Sequence, residues 1–265
     1  MGALVLDFDG VISDSAAESF VTAGRTWMAM RPDSTLVGGL AVVREALVPD
    51  PDHVAGETLF REFRSLMPLG NRAEDFAVAL AALERGKDLP DQAAYDSFRM
   101  ELDQKWLLGF HRRFYQERAL VRERDLQGWL RLQQPFPNVV SAMWRHHLRV
   151  PMAIATAKDR GSVHALLTAY GLQGVFPDER IADKETGVSK QAHMLALRGP
   201  LGVDCQQMTF VDDKVNHLDA VAVLGVRGVL AAWGFNGERE RVLARSRGYR
   251  VMGLDDVDEL FHEGR

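Results

Sequence analysis

The sequence contains little of what marks several classes of protein. Its single cysteine, Cys205, cannot form an internal disulfide, and no cysteine–histidine spacing is typical of a zinc site. No apolar run reaches the roughly 18 uncharged residues that a membrane span needs, and no basic segment precedes the first run. The 32 lysines and arginines are outnumbered by 37 acidic residues and form no long basic run. These absences predict a cytoplasmic protein that binds neither nucleic acid nor membrane.

What the chain does contain is the composition of an ordinary globular protein. Of its 265 residues, 46% are hydrophobic and 26% are charged, which is typical of folded domains. The length exceeds that of one typical domain, about 100 to 200 residues. We therefore expect two domains, or one domain that carries a large insertion.

Short apolar runs bounded by glycine, proline or aspartate predict the strands of one sheet. Such runs, rich in valine, isoleucine and leucine, are typical of strands that are buried on both faces. Helical stretches separate the later runs, and this alternation predicts a doubly wound, parallel α/β sheet. The predicted strands cover residues 3–8, 150–156, 208–211 and 226–233, with a further edge strand at 249–253.

Residues 15–135 have a different pattern. Apolar residues recur there at spacings of three and four, as in "EDFAVALAALERG", and this spacing predicts helices. The segment "QQPFPN" at 133–138 marks the return to the sheet. We therefore predict an α/β core domain formed by residues 1–14 and 136–265, and an inserted, all-helical domain formed by residues 15–135.

Two aspartates one residue apart, Asp7 and Asp9, follow the first predicted strand in "ALVLDFDGVISDS". The same spacing recurs at 50/52, in a proline-rich loop, and at 256/258, where acidic residues in a first helical turn favour the dipole. Only the first pair follows a buried strand at the carboxyl edge, where open α/β sheets place their sites. A regular strand turns alternate side chains to opposite faces, so we expect a bend after Asp7 that Gly10 permits.

A second acidic pair, Asp212 and Asp213, ends the predicted strand in "MTFVDDKVNHLD". If this strand lies beside the first one, three or four carboxylates meet, and their repulsion calls for a cation. Oxygen-rich sites of this kind suit Mg²⁺. For the pair considered alone, the alternative is an N-cap at the start of a helix.

Thr156 and a lysine complete the candidate site. Thr156 ends the strand in "AIATAKDRGS", where its hydroxyl and the following backbone N–H groups can hold an anion. Lys190, in "GVSKQAHMLAL", begins a helix, where its charge opposes the helix dipole and therefore calls for a nearby anion. Lys184, in "ADKETG", competes for the same role.

The order of these motifs resembles the haloacid dehalogenase superfamily. Within it, the chain is similar to the phosphoglycolate-phosphatase-like members, which begin D-F-D-G-V/T-x-x-D-S and carry a helical cap inserted after the first strand. The resemblance covers residues 1–14 and 136–265 by motif, and the cap by position and helicity alone. It implies a core sheet of the haloacid dehalogenase type with a separate helical cap domain.

The resemblance also implies catalytic roles. Asp7 would be the nucleophile that forms an aspartyl-phosphate, and Asp9 would be the general acid that protonates the leaving oxygen and then activates water. Thr156 and Lys190 would hold the phosphoryl oxygens while charge redistributes. The Lys-Pro pair that is common in these members is missing here, which leaves Lys184 as the alternative to Lys190.

For the metal, the resemblance implies a Mg²⁺ ion bound by Asp213, by Asp7 and by the backbone carbonyl of Asp9. Asp212 stands where many members of the superfamily have glycine. It would therefore either lie behind the metal or share it.

Together these implications predict a Mg²⁺-dependent phosphatase that hydrolyses a small phosphorylated metabolite in the cytoplasm. A phosphomutase of the beta-phosphoglucomutase type has the same residues and differs by excluding water through cap closure, so the sequence leaves this alternative open. A non-catalytic, phosphate-binding relic of the fold is a further alternative. A binder needs no acid two residues from a nucleophile, so Asp9 argues against the relic, and it also argues against the dehalogenase branch, which lacks this aspartate.

Overall fold

The computed structural model of the protein describes residues 2–70, 72–187 and 189–262. The chain divides into two compact units: a core unit, Met1–Asp14 with Gln134–Arg265, and a helical unit, Ser15–Gln133. The core unit resumes at Gln134, two residues before the position expected from the sequence. The reason is that Gln134–Pro135 (β3) pairs antiparallel with Ser13–Asp14 (β2).

Six parallel strands form the sheet of the core unit. Their bounds are Ala3–Leu6 (β1), Met152–Ala155 (β4), Ile181–Ala182 (β5), Met208–Asp212 (β6), Arg227–Ala231 (β7) and Arg250–Met252 (β8). They lie in the order β5-β4-β1-β6-β7-β8, which confirms the predicted parallel α/β fold. The sequence does not predict β5, because two residues are too few to form a recognisable apolar run.

The central position of β1 determines where the site forms. Leu6 pairs with Ile154 of β4 on one side and with Val211 of β6 on the other. All four residues of β1 are buried, as the apolar run predicts for a strand covered on both faces. Since parallel strands end at the same edge of a sheet, the segments that follow β1, β4 and β6 meet there.

The helical unit consists of α-helices and one 3₁₀ segment, Thr35–Leu40, within its described residues. The helices are Ala16–Met30 (α1), Ala41–Glu45 (α2), Pro51–Gly56 (α3), Thr58–Leu66 (α4), Ala73–Glu84 (α5), Gln92–Glu101 (α6), Gln104–Arg124 (α7) and Leu126–Arg131 (α8). No helix in the part of the chain that the structure describes is both long and apolar enough to cross a membrane.

Aromatic side chains form the interior of the helical unit. The Phe20 ring of α1 lies 5.4 Å from Phe60 and 5.5 Å from Phe63, both on α4. Phe63 in turn lies 5.5 Å from Phe76 of α5, and Phe76 lies 5.5 Å from Phe114 of α7. Because aromatic rings bury large areas and favour edge or tilted contacts, this chain of rings holds four helices together.

A buried ion pair lies in the same interior. Arg118 of α7 donates to both carboxylate oxygens of Glu18 on α1, at 2.9 and 2.6 Å. Thr22 and Trp129 also donate to Glu18, at 2.9 and 3.2 Å. A buried carboxylate is tolerated when it is paired and fully hydrogen-bonded, and these donors meet that condition.

Helices flank the sheet of the core unit. They are Pro137–His146 (α9), Arg160–Ala169 (α10), Lys190–Leu201 (α11), Val215–Ala222 (α12) and Glu238–Ser246 (α13). Met194 of α11 and Leu218 of α12 belong to one buried cluster with Val5 and Phe210 of the sheet. This packing fixes the start of α11 and the start of α12 close to the sheet edge where the motifs lie.

Candidate active site

Asp7 and Lys190 form the centre of the candidate site. Asp7 follows β1 directly, and the Nζ atom of Lys190, at the start of α11, lies 2.8 Å from Asp7 Oδ1. Lys190 also donates to the carbonyl of Ala155 at 2.7 Å and lies 3.4 Å from Asp212 Oδ2. Both Asp7 and Lys190 are buried, so the lysine charge acts on these carboxylates with little screening by water.

Burial and charge oppose each other at this pair. Burial raises the pKa of Asp7 to about 6, although Lys190 acts in the opposite direction. Burial by itself lowers the pKa of Lys190, but Asp7 and Asp212 outweigh it and raise that pKa above its ordinary value. Lys190 is therefore held as a cation between Asp7 and Asp212.

Asp212 is held by a different set of donors. Its Oδ1 accepts a hydrogen bond from the backbone N–H of Lys214 at 2.9 Å, and His217 Nδ1 lies 3.0 Å from Oδ2. Burial alone would raise the pKa of Asp212, but His217 and Lys190 outweigh it and hold that pKa below its usual range. Asp212 is thus a buried, charged carboxylate between a lysine and a histidine.

Asp213 is as buried as Asp212, but fewer neighbouring groups offset the cost of burying its charge. Its Oδ2 accepts a hydrogen bond from the backbone N–H of Phe235 at 2.7 Å, and Lys214 Nζ lies 3.8 Å away. Its buried Oδ1 has no hydrogen-bond partner among the described residues. Burial, with Asp212 and Asp7 adding to it, raises the pKa of Asp213 well above its usual range.

Two glycines make room for Asp213. Gly10 has φ +83°, and a Cβ atom there would lie 2.5 Å from Asp213 Oδ2. At Gly234 a Cβ atom would lie 2.3 Å from the Asp213 Cβ, which is closer than two non-bonded carbon atoms can approach. Gly10 therefore provides both the left-handed turn that follows Asp9 and the space for the second acidic pair.

Thr156 and Asp9 lie on neighbouring loops of the same sheet edge. Thr156 is buried, its N–H donates to the carbonyl of Ala182 at 2.8 Å, and its Oγ1 accepts from the N–H of Lys158 at 3.1 Å. The Asp9 side chain is 26% exposed, and Lys158 Nζ lies 3.0 Å from its Oδ1. The structure thus places all the sequence-predicted carboxylates and Thr156 at the ends of β1, β4 and β6.

The two candidate lysines have different surroundings. Lys190 contacts Asp7, whereas Lys184 Nζ lies 3.5 Å from Glu185 Oε1 and its side chain is 36% exposed. The sequence left both lysines open for the phosphate-binding role, and the structure brings Lys190 to Asp7.

Three further residues lie at this edge and were not predicted from the sequence: Lys158, Lys214 and His217. Lys158 follows Thr156 by two positions, and the other two flank the first turn of α12. The feature of the sequence that could have indicated these residues is their proximity to Thr156 and Asp213. It is weak, because lysine and histidine beside a helix start are common on protein surfaces, whereas burial of Lys158 and Lys214 becomes evident only in the folded chain.

The residues present fit a divalent cation. One oxygen each of Asp7 and Asp212 and a ring nitrogen of His217 lie within 4.8 Å of one another. The buried Oδ1 of Asp213 is not part of that group, but it accepts no hydrogen bond from a described residue and is a further candidate ligand atom. Carboxylate oxygens in this number suit a hard ion such as Mg²⁺, and the ion would relieve the repulsion that burial intensifies.

The chain is similar to a known protein family. A family model for haloacid dehalogenase-like hydrolases matches residues 1–225. No curated protein matches the chain significantly.

Several solved structures share the fold over nearly the whole chain. A predicted phosphoglycolate phosphatase from Haemophilus somnus 129pt is 17% identical, with a TM-score of 0.62, and the match covers 98% of this chain and 97% of that one. A haloacid dehalogenase-like family protein from Streptococcus pneumoniae is 15% identical, with a TM-score of 0.64 and 98% of each chain covered. A hydrolase of this family from Deinococcus radiodurans R1, solved with bound phosphate and sodium, is 18% identical, with a TM-score of 0.54, covering 100% of this chain and 96% of that one.

Proposed function

Since the chain belongs to the haloacid dehalogenase-like hydrolases, we propose that it is a Mg²⁺-dependent phosphatase that hydrolyses a small phosphorylated metabolite. One observation carries the proposal: Asp7, at the end of the central strand, faces the buried ammonium of Lys190 at 2.8 Å, with Asp9 two residues farther along the chain. A nucleophile, a cation for the phosphoryl oxygens and an acid are the three groups that phosphate-ester cleavage through a covalent enzyme requires.

The proposed reaction has two steps. A carboxylate oxygen of Asp7 attacks phosphorus, and the bond from phosphorus to the leaving oxygen breaks while Asp9 donates a proton to that oxygen. Asp9, now a carboxylate, removes a proton from water, whose oxygen attacks the phosphorus of phospho-Asp7 and releases phosphate and the free Asp7 carboxylate. Lys190 and the Thr156 hydroxyl stabilise the charge on the phosphoryl oxygens in both steps.

The proposed ligands of Mg²⁺ are Asp7, Asp213 and the Asp9 carbonyl, with Asp212 behind them. When bound, the ion offsets the charge of the clustered carboxylates and of the phosphoryl group. The unpartnered Oδ1 of Asp213 supports this assignment. Asp212 accepts hydrogen bonds from Lys214 and His217 and lies 3.4 Å from Lys190 Nζ, which supports a role in orienting Lys190 more than a role as a ligand.

We also propose that the helical unit, which is inserted directly after the segment that carries Asp7 and Asp9, serves as the cap of this site. Its position in the chain and its helicity support the proposal. A phosphomutase would use the same residues, with cap closure excluding water. The route of the phosphoryl group after phospho-Asp7 separates the two functions.

The proposal is tested by hydrolysis of a panel of phosphorylated sugars, acids and nucleotides in ¹⁸O-labelled water, with and without Mg²⁺. We expect ¹⁸O in the released phosphate, with loss of turnover in Asp7→Asn, because an amide cannot form the phospho-enzyme. Asp9→Asn should reduce turnover by about 10² to 10⁴, the usual contribution of a positioned proton donor. It should also let phospho-Asp7 accumulate, which mass spectrometry of the quenched protein detects.

Three outcomes would contradict the proposal. Full activity of Asp7→Asn would exclude the covalent route. Transfer of the phosphoryl group back to a sugar, with little free phosphate, would identify a phosphomutase, and no turnover of any monoester would favour a phosphate-binding protein.

A further inference from the structure

Lys158 is a buried lysine that the reaction described above does not use. It is only 2% exposed, which is unusual for lysine because removing an ammonium group from water is costly unless the charge is paired. Its Nζ lies 3.0 Å from Asp9 Oδ1. Within the part of the chain that the structure describes, the buried Asp9 Oδ1 accepts no hydrogen bond, so the contact with Lys158 is an ion pair.

The backbone around Lys158 is held from two sides. Its N–H donates to Thr156 Oγ1 at 3.1 Å, and its carbonyl accepts from the N–H of Lys184 at 3.4 Å. Thr156 is itself joined to β5 through the carbonyl of Ala182 at 2.8 Å. The base of the Lys158 side chain is therefore fixed by β4 and β5, while Asp9 follows β1.

The backbone of the acid that Lys158 contacts is held in a turn, where the residue bridges to Ser13. Asp9 lies on the turn after β1, next to Gly10 with its left-handed backbone, and its side chain is partly exposed. A proton donor must be within hydrogen-bond reach of the leaving oxygen to act. An ion pair to one carboxylate oxygen restricts rotation of the carboxylate and leaves the other oxygen, Oδ2, available for proton transfer.

We propose that Lys158 is a positioning residue for Asp9: by holding Oδ1, it aims Oδ2 at the oxygen of the leaving group. The inference rests on the proposed phosphatase function. The inference predicts an effect that depends on the leaving group, because a misplaced acid slows the reaction only when the leaving group needs a proton. Loss of Lys158 should therefore slow esters of weakly acidic alcohols or phenols and spare esters whose leaving group departs readily as an anion.

The test uses a series of aryl phosphates of similar size, from 4-nitrophenyl phosphate to phenyl and 4-methoxyphenyl phosphate. In Lys158→Met, we expect kcat/KM for phenyl and 4-methoxyphenyl phosphate to fall by about 10-fold or more, part of the full effect of a proton donor. For 4-nitrophenyl phosphate we expect a loss below about 2-fold. Lys87→Met, which removes an exposed lysine of the helical unit, is the matched control and should leave the series unchanged.

A double-mutant cycle shows whether Lys158 acts through Asp9. In an Asp9→Asn background, Lys158→Met should change kcat/KM by less than about 2-fold for every ester, because the group that it positions has already gone. Lys158→Arg should retain most of the wild-type dependence on the leaving group, since it keeps the charge. If thermal unfolding shows that Lys158→Met does not fold, Lys158→Arg takes its place in the test.

Equal losses across the series, or a full additional loss in the Asp9→Asn background, would overturn the inference and place Lys158 on the phosphoryl group or in a purely structural role. Either result would leave the proposed function intact. If the wild-type protein releases phosphate from none of the esters tested here or in the metabolite panel, the proposed function fails, and the inference fails with it.

Discussion

At the scale of single residues, Lys190 has the most demanding surroundings. It occupies the first turn of α11, where the helix dipole disfavours a cation, and it is buried. Asp7 and Asp212 compensate for both costs, at 2.8 and 3.4 Å. The adjacent Ser189 caps the helix by accepting from the N–H of Ala192 at 3.2 Å, which fixes the backbone from which Lys190 reaches the site.

Replacing Lys190 by alanine should therefore lower kcat/KM for phosphate release by about 10² or more, the effect of losing one donor that stabilises transition-state charge. Lys184→Ala should have a mild effect, because that side chain lies beside Glu185 and is partly exposed. Thermal unfolding of both variants separates loss of catalysis from loss of folding. The opposite ranking of the two activities would transfer the phosphate-binding role to Lys184.

At the scale of elements, one residue of the turn after β1, Gly10, meets two requirements: a left-handed backbone and space for a neighbouring side chain. Gly10 adopts φ +83°, and Asp213 from the segment after β6 fills the space where a Cβ atom would lie. The turn and the second acidic pair are thus packed against each other, and a change in either one displaces the other.

Gly10→Ala should reduce the free energy of unfolding, measured with urea, by more than Gly248→Ala does. Gly248 has nearly the same backbone angle, φ +80°, but nothing lies within 4 Å of its absent Cβ. The control therefore measures the backbone strain alone, about 1 to 3 kcal/mol, and the difference measures crowding against Asp213 and, less closely, Phe235. Equal destabilisation of the two variants would show that Asp213 can move aside.

At the scale of the whole molecule, the buried carboxylates couple metal binding to stability. Asp7, Asp212 and Asp213 are all buried at one edge of the sheet, and each of the other two raises the pKa of Asp213. Their repulsion opposes folding in the absence of a cation. A ligand that binds only the folded state raises stability, by about 2.7 kcal/mol at 100 times its dissociation constant.

We expect Mg²⁺ to raise the Tm of the wild-type protein in a concentration-dependent manner. Asp213→Asn should abolish this shift. Without Mg²⁺, it should be at least as stable as wild type, because one repelling charge is gone while the amide oxygen can still accept from Phe235. Asp50→Asn, which removes an exposed carboxylate from the start of α3, should retain the full shift. A Mg²⁺ shift of wild-type size in Asp213→Asn would exclude Asp213 as a ligand.

Much of the fold follows from local patterns. The apolar runs at 3–8, 150–156, 208–211 and 226–233 predict β1, β4, β6 and β7, because a strand covered on both faces must be apolar at every position. The structure confirms these strands with ends shifted by up to two residues. By contrast, β5 has two residues and β3 has two residues, and both exist only because a neighbouring strand supplies their hydrogen bonds.

The sequence by itself determined the type of sheet, the helical character of most of residues 15–135 and the candidates Asp7, Asp9, Thr156 and Asp213, since each follows from spacing along the chain. Only the tertiary structure decided which cations face these carboxylates. Lys190 reaches Asp7 from a helix more than 180 residues away in sequence, and Lys158 reaches Asp9 from the loop after β4. Burial gives these lysines their significance, because an ammonium group that is ordinary in water must find a carboxylate once the surrounding chain has excluded the solvent.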